Sequence, residues 1–185
     1  MSEAAPANRP YAAIEDLPEG VVGELIGGQL YTQPRPSAVH AAATSRLGAD
    51  LTGPFDRGHG GPGGWWILDE PELHFRLDRE VLVPDIGGWR RSRMPRLPGD
   101  QRFEIVPDWI CEVLSPSTAS KDRETKMPVY ARHGVNHAWL VDPGTERIEV
   151  YALRENDWRH IMTCRGDGPI VAPPFDAVGI PAPWR

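Results

Sequence analysis

Residues 107–142 read PDWICEVLSPSTASKDRETKMPVYARHGVNHAWLVD, and this stretch decides the fold. Trp109 to Leu114 is an apolar run of the length and β-rich make-up of a buried strand. Ser115 and Pro116 stop it. A polar turn follows, then a helix holding Lys121, Asp122 and Lys126, a glycine stop at Gly134, and a second apolar strand that ends at Asp142. Strand, loop, helix and strand in that order make one crossover unit of an α/β sheet.

Two features of the stretch break the local rules. Glu112 is a carboxylate inside an apolar strand, which is costly unless it is paired, hydrogen-bonded or bound to a metal. Side chains alternate along a strand, so Glu112 shares a face with Ile110 and Leu114, opposite Trp109, Cys111 and Val113. A strand-end acid paired with an arginine is the plain alternative. The second feature is lysine: the chain has two, Lys121 and Lys126, and every other Lys/Arg position is arginine. A lysine kept in such a chain points to a need for a compact ammonium. At helical spacing Asp122, Lys126 and Tyr130 share a face, which makes Lys126 the candidate for chemistry. Lys121 points elsewhere and is expected in solvent; Tyr130 is expected to pack.

Composition bounds the rest. A chain of 185 residues with 40% hydrophobic and 25% charged residues suits one soluble domain with a real core. The 20 prolines and 19 glycines predict long loops. No apolar run has the length of a membrane span, and the N-terminus lacks a signal pattern. Cys111 and Cys164 fall in expected strands without metal-ligand spacing, so they read as reduced core residues of a cytoplasmic protein. A net charge of -6 argues against broad nucleic-acid affinity but leaves room for a local basic patch.

Residues 1–10 are expected to be a disordered tail, with one domain over 11–185. Val21 to Gln33 reads as a hairpin around Gly27-Gly28 with Glu24 in its first strand. Ser37 caps a helix from about Ala38 to Leu51, with His40 near its start and Val39, Ala42, Ala43, Leu47 and Leu51 as its apolar face. Thr52 to Gly64 reads as loop. Trp65–Asp69, Glu72–Leu77 and Val81–Asp85 read as three strands, the last ending at Asp85. A carboxylate there, beside Glu112, suits an oxygen-ligand cation site. Trp89 to Arg102 lacks periodicity and reads as a loop. Its Arg90, Arg91, Arg93 and Arg96 form a candidate phosphate-contacting arm; a solvated loop is the alternative. Two further strands, Arg147–Leu153 and Trp158–Cys164, extend the sheet, and Asp167 to Arg185 is expected to lie over the surface as a terminal arm.

Pro84-Asp85, Glu112 followed by Ser115-Pro116-Ser117-Thr118, then Asp122, Lys126, Tyr130, Gly134-Val135 and Trp139-Leu140-Val141-Asp142 together resemble the Uma-two family of the PD-(D/E)XK nuclease superfamily. The resemblance covers about Glu15 to Leu153. It implies an α/β (α+β) restriction-endonuclease-like core: a central mixed β-sheet flanked by helices, with an N-terminal hairpin and helix. Asp85 matches the motif aspartate and Glu112 the acid of the E-x-K element. Leu114 stands where that element has lysine, and Lys126 on the next helix matches the migrated lysine. Asp108 lies about 13 Å along the same strand from Glu112, too far to share a cation. Glu24 and His40 match family positions as auxiliaries, and Asp122 is expected to orient Lys126.

The resemblance further implies metal-dependent hydrolysis of phosphodiester bonds in DNA, with Mg²⁺ or Mn²⁺ held by Asp85, Glu112 and the Val113 carbonyl. Lys126 is expected to orient or deprotonate water or to stabilise the transition state. A homodimer is expected, since cutting both strands takes two sites. The alternatives are a nuclease fold that has lost catalysis and serves as a binding module, and a small-molecule phosphoesterase.

Overall fold

The computed structural model describes residues 10–33 and 35–185, so the tail expected over 1–10 lies, but for Pro10, outside the described residues. The central layer is a six-stranded mixed sheet. Its strands are β3 (Trp65–Asp69), β6 (Ile86–Arg90), β8 (Trp109–Val113), β9 (His137–Asp142), β10 (Arg147–Arg154) and β11 (Asp157–Arg165), in the order β11-β10-β9-β8-β6-β3. β8 and β9 are parallel, with Glu112 level with Leu140, and the other neighbours are antiparallel. The crossover expected over 107–142 is therefore present.

A second sheet stands beside the first. β1 (Gly23–Ile26), β2 (Gln29–Thr32), β4 (Glu72–Arg76), β5 (Glu80–Leu82) and β7 (Arg102–Phe103) pair in the order β2-β1-β5-β4-β7. The three strands expected between 65 and 85 thus divide between two sheets: β3 pairs with β6, whereas β4 and β5 pair with each other. Asp85 does not end β5, which stops at Leu82. It sits where the chain leaves one sheet for the other and starts β6, a strand not foreseen because Ile86-Gly87-Gly88 looks too weak to be one. The glycines are required by packing. A Cβ on Gly87 would lie 2.7 Å from the Pro71 ring, and one on Gly88 would lie 3.0 Å from Trp109.

Two apolar layers hold the central sheet. On one face Trp109, Cys111 and Val113 pack with Leu47 and Leu51 of α2 (Ala38–Leu51), which follows the short α1 (Ala12–Glu15). On the other, Ile110 and Leu114 pack with Leu73 and Leu82 of the second sheet and with Val129 and Tyr130. The alternation expected for β8 is thus realised, and Glu112 points between the central sheet and the helix that follows it.

Three expectations are corrected. Val39 is exposed, so the buried stripe of α2 begins at Ala43. The loop expected after Leu51 opens with a π-helical turn, Thr52–Asp56, which buries Phe55. The C-terminal segment does not lie over the surface. Ile170, Ala172, Phe175, Ile180 and Ala182 are buried in the core, with Phe175 against Phe55, Trp65, Trp109 and Trp139.

The helix after β8 runs as α3 (Ala119–Lys121), a π-helical turn (Asp122–Lys126) and α4 (Met127–Arg132). Pro128 has no N–H for the carbonyl four residues back and crowds it, and the wider turn takes up that crowding. No helix among the described residues is long and apolar enough to cross a membrane.

Candidate carboxylate–lysine site

Asp85 and Glu112 come together through strand register. β6 and β8 are antiparallel with Ile86 opposite Cys111, so one step further sets Asp85 beside Glu112. Asp85 is stitched to the other strand directly: its Oδ2 accepts the Val113 N–H at 2.6 Å. Its Oδ1 lies 3.2 Å from His40 Nε2, from the first turn of α2. Ser37 caps that helix by accepting the His40 backbone N–H, which fixes where the imidazole starts. The hydrogen bond to Asp85 holds the proton affinity of His40 above its usual value, against burial.

Behind this pair is a buried charge network. Lys126 is 1% exposed, and its Nζ has three acceptors: Glu112 Oε1 at 2.8 Å, Glu24 Oε1 at 2.9 Å and the Val83 carbonyl at 2.9 Å. An ammonium has three N–H bonds, so all are spent. Burial favours the neutral amine, but Glu112, Glu24 and Asp122 outweigh it and hold Lys126 protonated, its proton affinity above the usual lysine range. Glu24 is buried and also accepts the Val83 N–H at 3.0 Å. Its carboxyl is pushed up by burial but pulled below its usual range by Lys126 and Lys121. Glu112 goes the other way. Burial drives its proton affinity well above the usual range, Lys126 offsets this in part, and the charges of Asp122, Asp85 and Glu24 add to it.

One sequence expectation fails here, and another holds but was incomplete. Lys121 is not free in solvent: its Nζ reaches Glu24 Oε2 at 2.5 Å. In an α-helix, residues five apart point roughly 140° away from each other. The π-helical turn closes i to i+5 and brings Lys121 and Lys126 to one side. Tyr130 does pack, but it also belongs to the site, its hydroxyl donating to Glu112 Oε1 at 2.6 Å. With Lys126 and Tyr130 both on Oε1, the other oxygen of Glu112 has no protein donor among the described residues. Asp122 is buried, and its carboxyl is raised by burial.

In front of Asp85 and Glu112 opens a cleft of about 530 Å³. Its charged lining is Arg35, His40, Glu70, Asp85, Glu112 and Asp122, and Val113 also faces it. Glu70 was missed in the sequence, where it looks like a turn residue. It stands at φ 42, unusual for a non-glycine, and donates its N–H to the Asp85 carbonyl at 3.1 Å. Burial, with Asp69 and Asp85 nearby, raises its carboxyl.

The arginine arm lies elsewhere. Trp89 and Arg90 close β6, so the arm begins at the strand end opposite Asp85, roughly 17 Å away at about 3.3 Å per residue. Arg90 covers Trp65, and Arg91 covers Trp66 while pairing with Asp56. Arg93 pairs with Asp108 at 2.9 Å. The arm is thus tied down at Arg91 and Arg93 while Arg90, Arg93 and Arg96 stay exposed, and the structure does not bring it to the carboxylates.

The lining suits a hard cation. Asp85, Glu112 and the Val113 carbonyl are oxygen donors, and Mg²⁺ is usually held by one or two carboxylates, with waters and substrate phosphate completing its shell. Among the described residues no three His, Cys, Asp or Glu side chains form a ready cage, which such an ion does not need.

The family model Uma2, described as "Putative restriction endonuclease", matches residues 11–181. Among solved structures, the chain is similar to a protein from Anabaena variabilis described as a putative nuclease belonging to DUF820. The TM-score is 0.74 at 20% identity, covering 95% of this chain and 96% of that one. The likeness shows the fold, which is the mixed α+β restriction-endonuclease-like architecture expected from the sequence. No curated protein matches.

Proposed function

This chain belongs to the Uma2 family of restriction-endonuclease-like proteins, and on that premise we propose that it is a Mg²⁺- or Mn²⁺-dependent endonuclease that hydrolyses phosphodiester bonds in DNA. The observation that carries the reading is the pairing of Asp85 with Glu112 at the floor of a cleft lined by four carboxylates. An anionic phosphodiester cannot approach such a floor without a cation to offset it. Asp85, Glu112 and the Val113 carbonyl would hold the ion. So held, it supplies Lewis acidity toward the phosphate and lowers the pKa of water.

The chain's own residues do the rest. Tyr130 and Lys126 hold one oxygen of Glu112, which leaves the other to the cleft. His40 and the Val113 N–H fix Asp85. Lys126 has all three N–H bonds turned to Glu112, Glu24 and the Val83 carbonyl, which suits it to positioning rather than to acting as the base. Its work is to keep Glu24 and Glu112 together in a buried place. Cutting both strands takes two such clefts, which a homodimer supplies.

Purified protein titrated with Mg²⁺ or Mn²⁺ on circular and linear DNA, with an RNA arm, tests the proposal. Asp85→Asn is the informative variant, since the amide can still accept from Val113 but lacks the charge. Cation-dependent cleavage that disappears in Asp85→Asn is expected. Cleavage that ignores the cation or the substitution refutes the site; cation-dependent binding without cleavage by the wild type turns the reading to a binding module.

A further inference from the structure

We infer that Arg35 anchors a backbone phosphate of the nucleic acid over the carboxylate floor, an inference that rests on the nuclease reading above. The cleft lining holds two side chains able to carry positive charge, Arg35 and His40, against four carboxylates. His40 is tied to Asp85. Lys121 and Lys126 do not line the cleft; Lys121 pairs with Glu24, and Lys126 is spent on Glu24, Glu112 and the Val83 carbonyl. Gln33, two residues before Arg35, gives its amide to the Val83 carbonyl. Arg35 is exposed and has no carboxylate within ion-pair distance among the described residues. Pro36 follows it and biases residue 35 toward extended backbone, which presents the guanidinium from a stiff stem.

The same cleft lining supplies uncharged partners. Ser115 Oγ meets Ser117 Oγ and Thr118 Oγ1, each at 3.0 Å, and all three residues line the cleft. A strand lying in the cleft would meet both a planar fork and hydroxyls, each of which suits phosphate oxygens. The arginine arm offers less. It starts at the far end of β6, and Arg91 and Arg93 are already paired with Asp56 and Asp108.

Binding of a fluorescent DNA duplex across a salt series, with Ca²⁺ as the cation, tests the assignment. Arg35→Ala is expected to bind about tenfold more weakly. The slope of log affinity against log salt should fall by about 1. Arg35→Lys keeps the charge, so it should keep the slope while losing part of the affinity. The Mn²⁺ affinity measured by calorimetry should match wild type in both variants, which separates a substrate contact from a disturbed floor. Wild-type affinity and slope in Arg35→Ala overturn the assignment and leave the nuclease reading standing. A larger loss in Arg96→Ala than in Arg35→Ala also overturns it and returns the contact to the arm. Wild-type protein that neither binds nor cuts nucleic acid overturns both.

Discussion

Lys126 lies buried between two acids and a carbonyl, so its substitution is a stability experiment before it is a catalytic one. Lys126→Met leaves Glu24 and Glu112 buried with less compensation, a loss of about 3–5 kcal/mol for breaking a buried pair. Urea unfolding at neutral pH should show it, and a loss below ~1 kcal/mol would mean that the network does not hold the site. Glu24 gives the pH dependence. Burial raises its carboxyl, but Lys126 and Lys121 outweigh that and set it below the unfolded value of about 4.3. Its ion pairs therefore stabilise fully above the unfolded value, and the contribution is lost as pH falls through the lower folded one. The stability gap between wild type and Glu24→Gln should be wide at pH ~7 and narrow below about 4; a gap independent of pH would show that Glu24 is not ionised in the folded protein. Which residues the sequence disclosed follows the same physics. Glu112 stood out as a charge in an apolar strand, and Lys126 as one of two lysines in a chain that otherwise uses arginine. Tyr130 did not, since a tyrosine on an apolar face looks like any core residue, and Arg35 was hidden in a proline loop. Lys121 was misjudged because α-helical spacing separates it from Lys126.

At the scale of elements, the π-helical turn Asp122–Lys126 and the C-terminal segment were the parts least visible beforehand. Proline marks the turn, but nothing in the sequence says how the chain absorbs Pro128. The crossover Trp109–Asp142 was legible because its period changes from strand to helix and back, whereas β6 was obscured by Gly87 and Gly88, chosen for contact with Pro71 and Trp109. The terminal segment looked like surface because prolines interrupt its apolar residues, yet Ile170, Ala172, Phe175, Ile180 and Ala182 find the core while Val171 stays exposed. Truncation after Asp167 removes Ile170, Phe175 and Ile180, all at most 2% exposed. Three such side chains contribute about 1.5–3 kcal/mol each, which takes most of a typical margin of about 5–15 kcal/mol. The truncated chain should lack a cooperative unfolding transition by circular dichroism; a transition near the wild-type temperature would contradict the packing described.

For the whole molecule, folding gathers like charge. The chain carries a net charge of -6, and its fold brings Glu70, Asp85, Glu112 and Asp122 to one cleft. In the unfolded chain the same carboxylates are scattered and solvated, so a divalent ion has far less to bind there. An ion that prefers the folded state stabilises it by mass action, about 2.7 kcal/mol when present at about 100 times its dissociation constant. For a chain of this size each 1 kcal/mol moves the midpoint about 2–4 °C, so saturating Mg²⁺ or Mn²⁺ should raise the unfolding temperature by about 5–10 °C. EDTA should reverse the rise. Sodium chloride at equal ionic strength should not reproduce it, because screening acts on all surface charge and not on one site. Asp85→Asn should blunt the shift, whereas Arg35→Ala, which leaves the oxygen donors in place, should keep it. A wild-type unfolding temperature indifferent to millimolar Mg²⁺ and Mn²⁺ would remove the cation from the proposal, and without it the acidic floor has no means of accepting a phosphodiester.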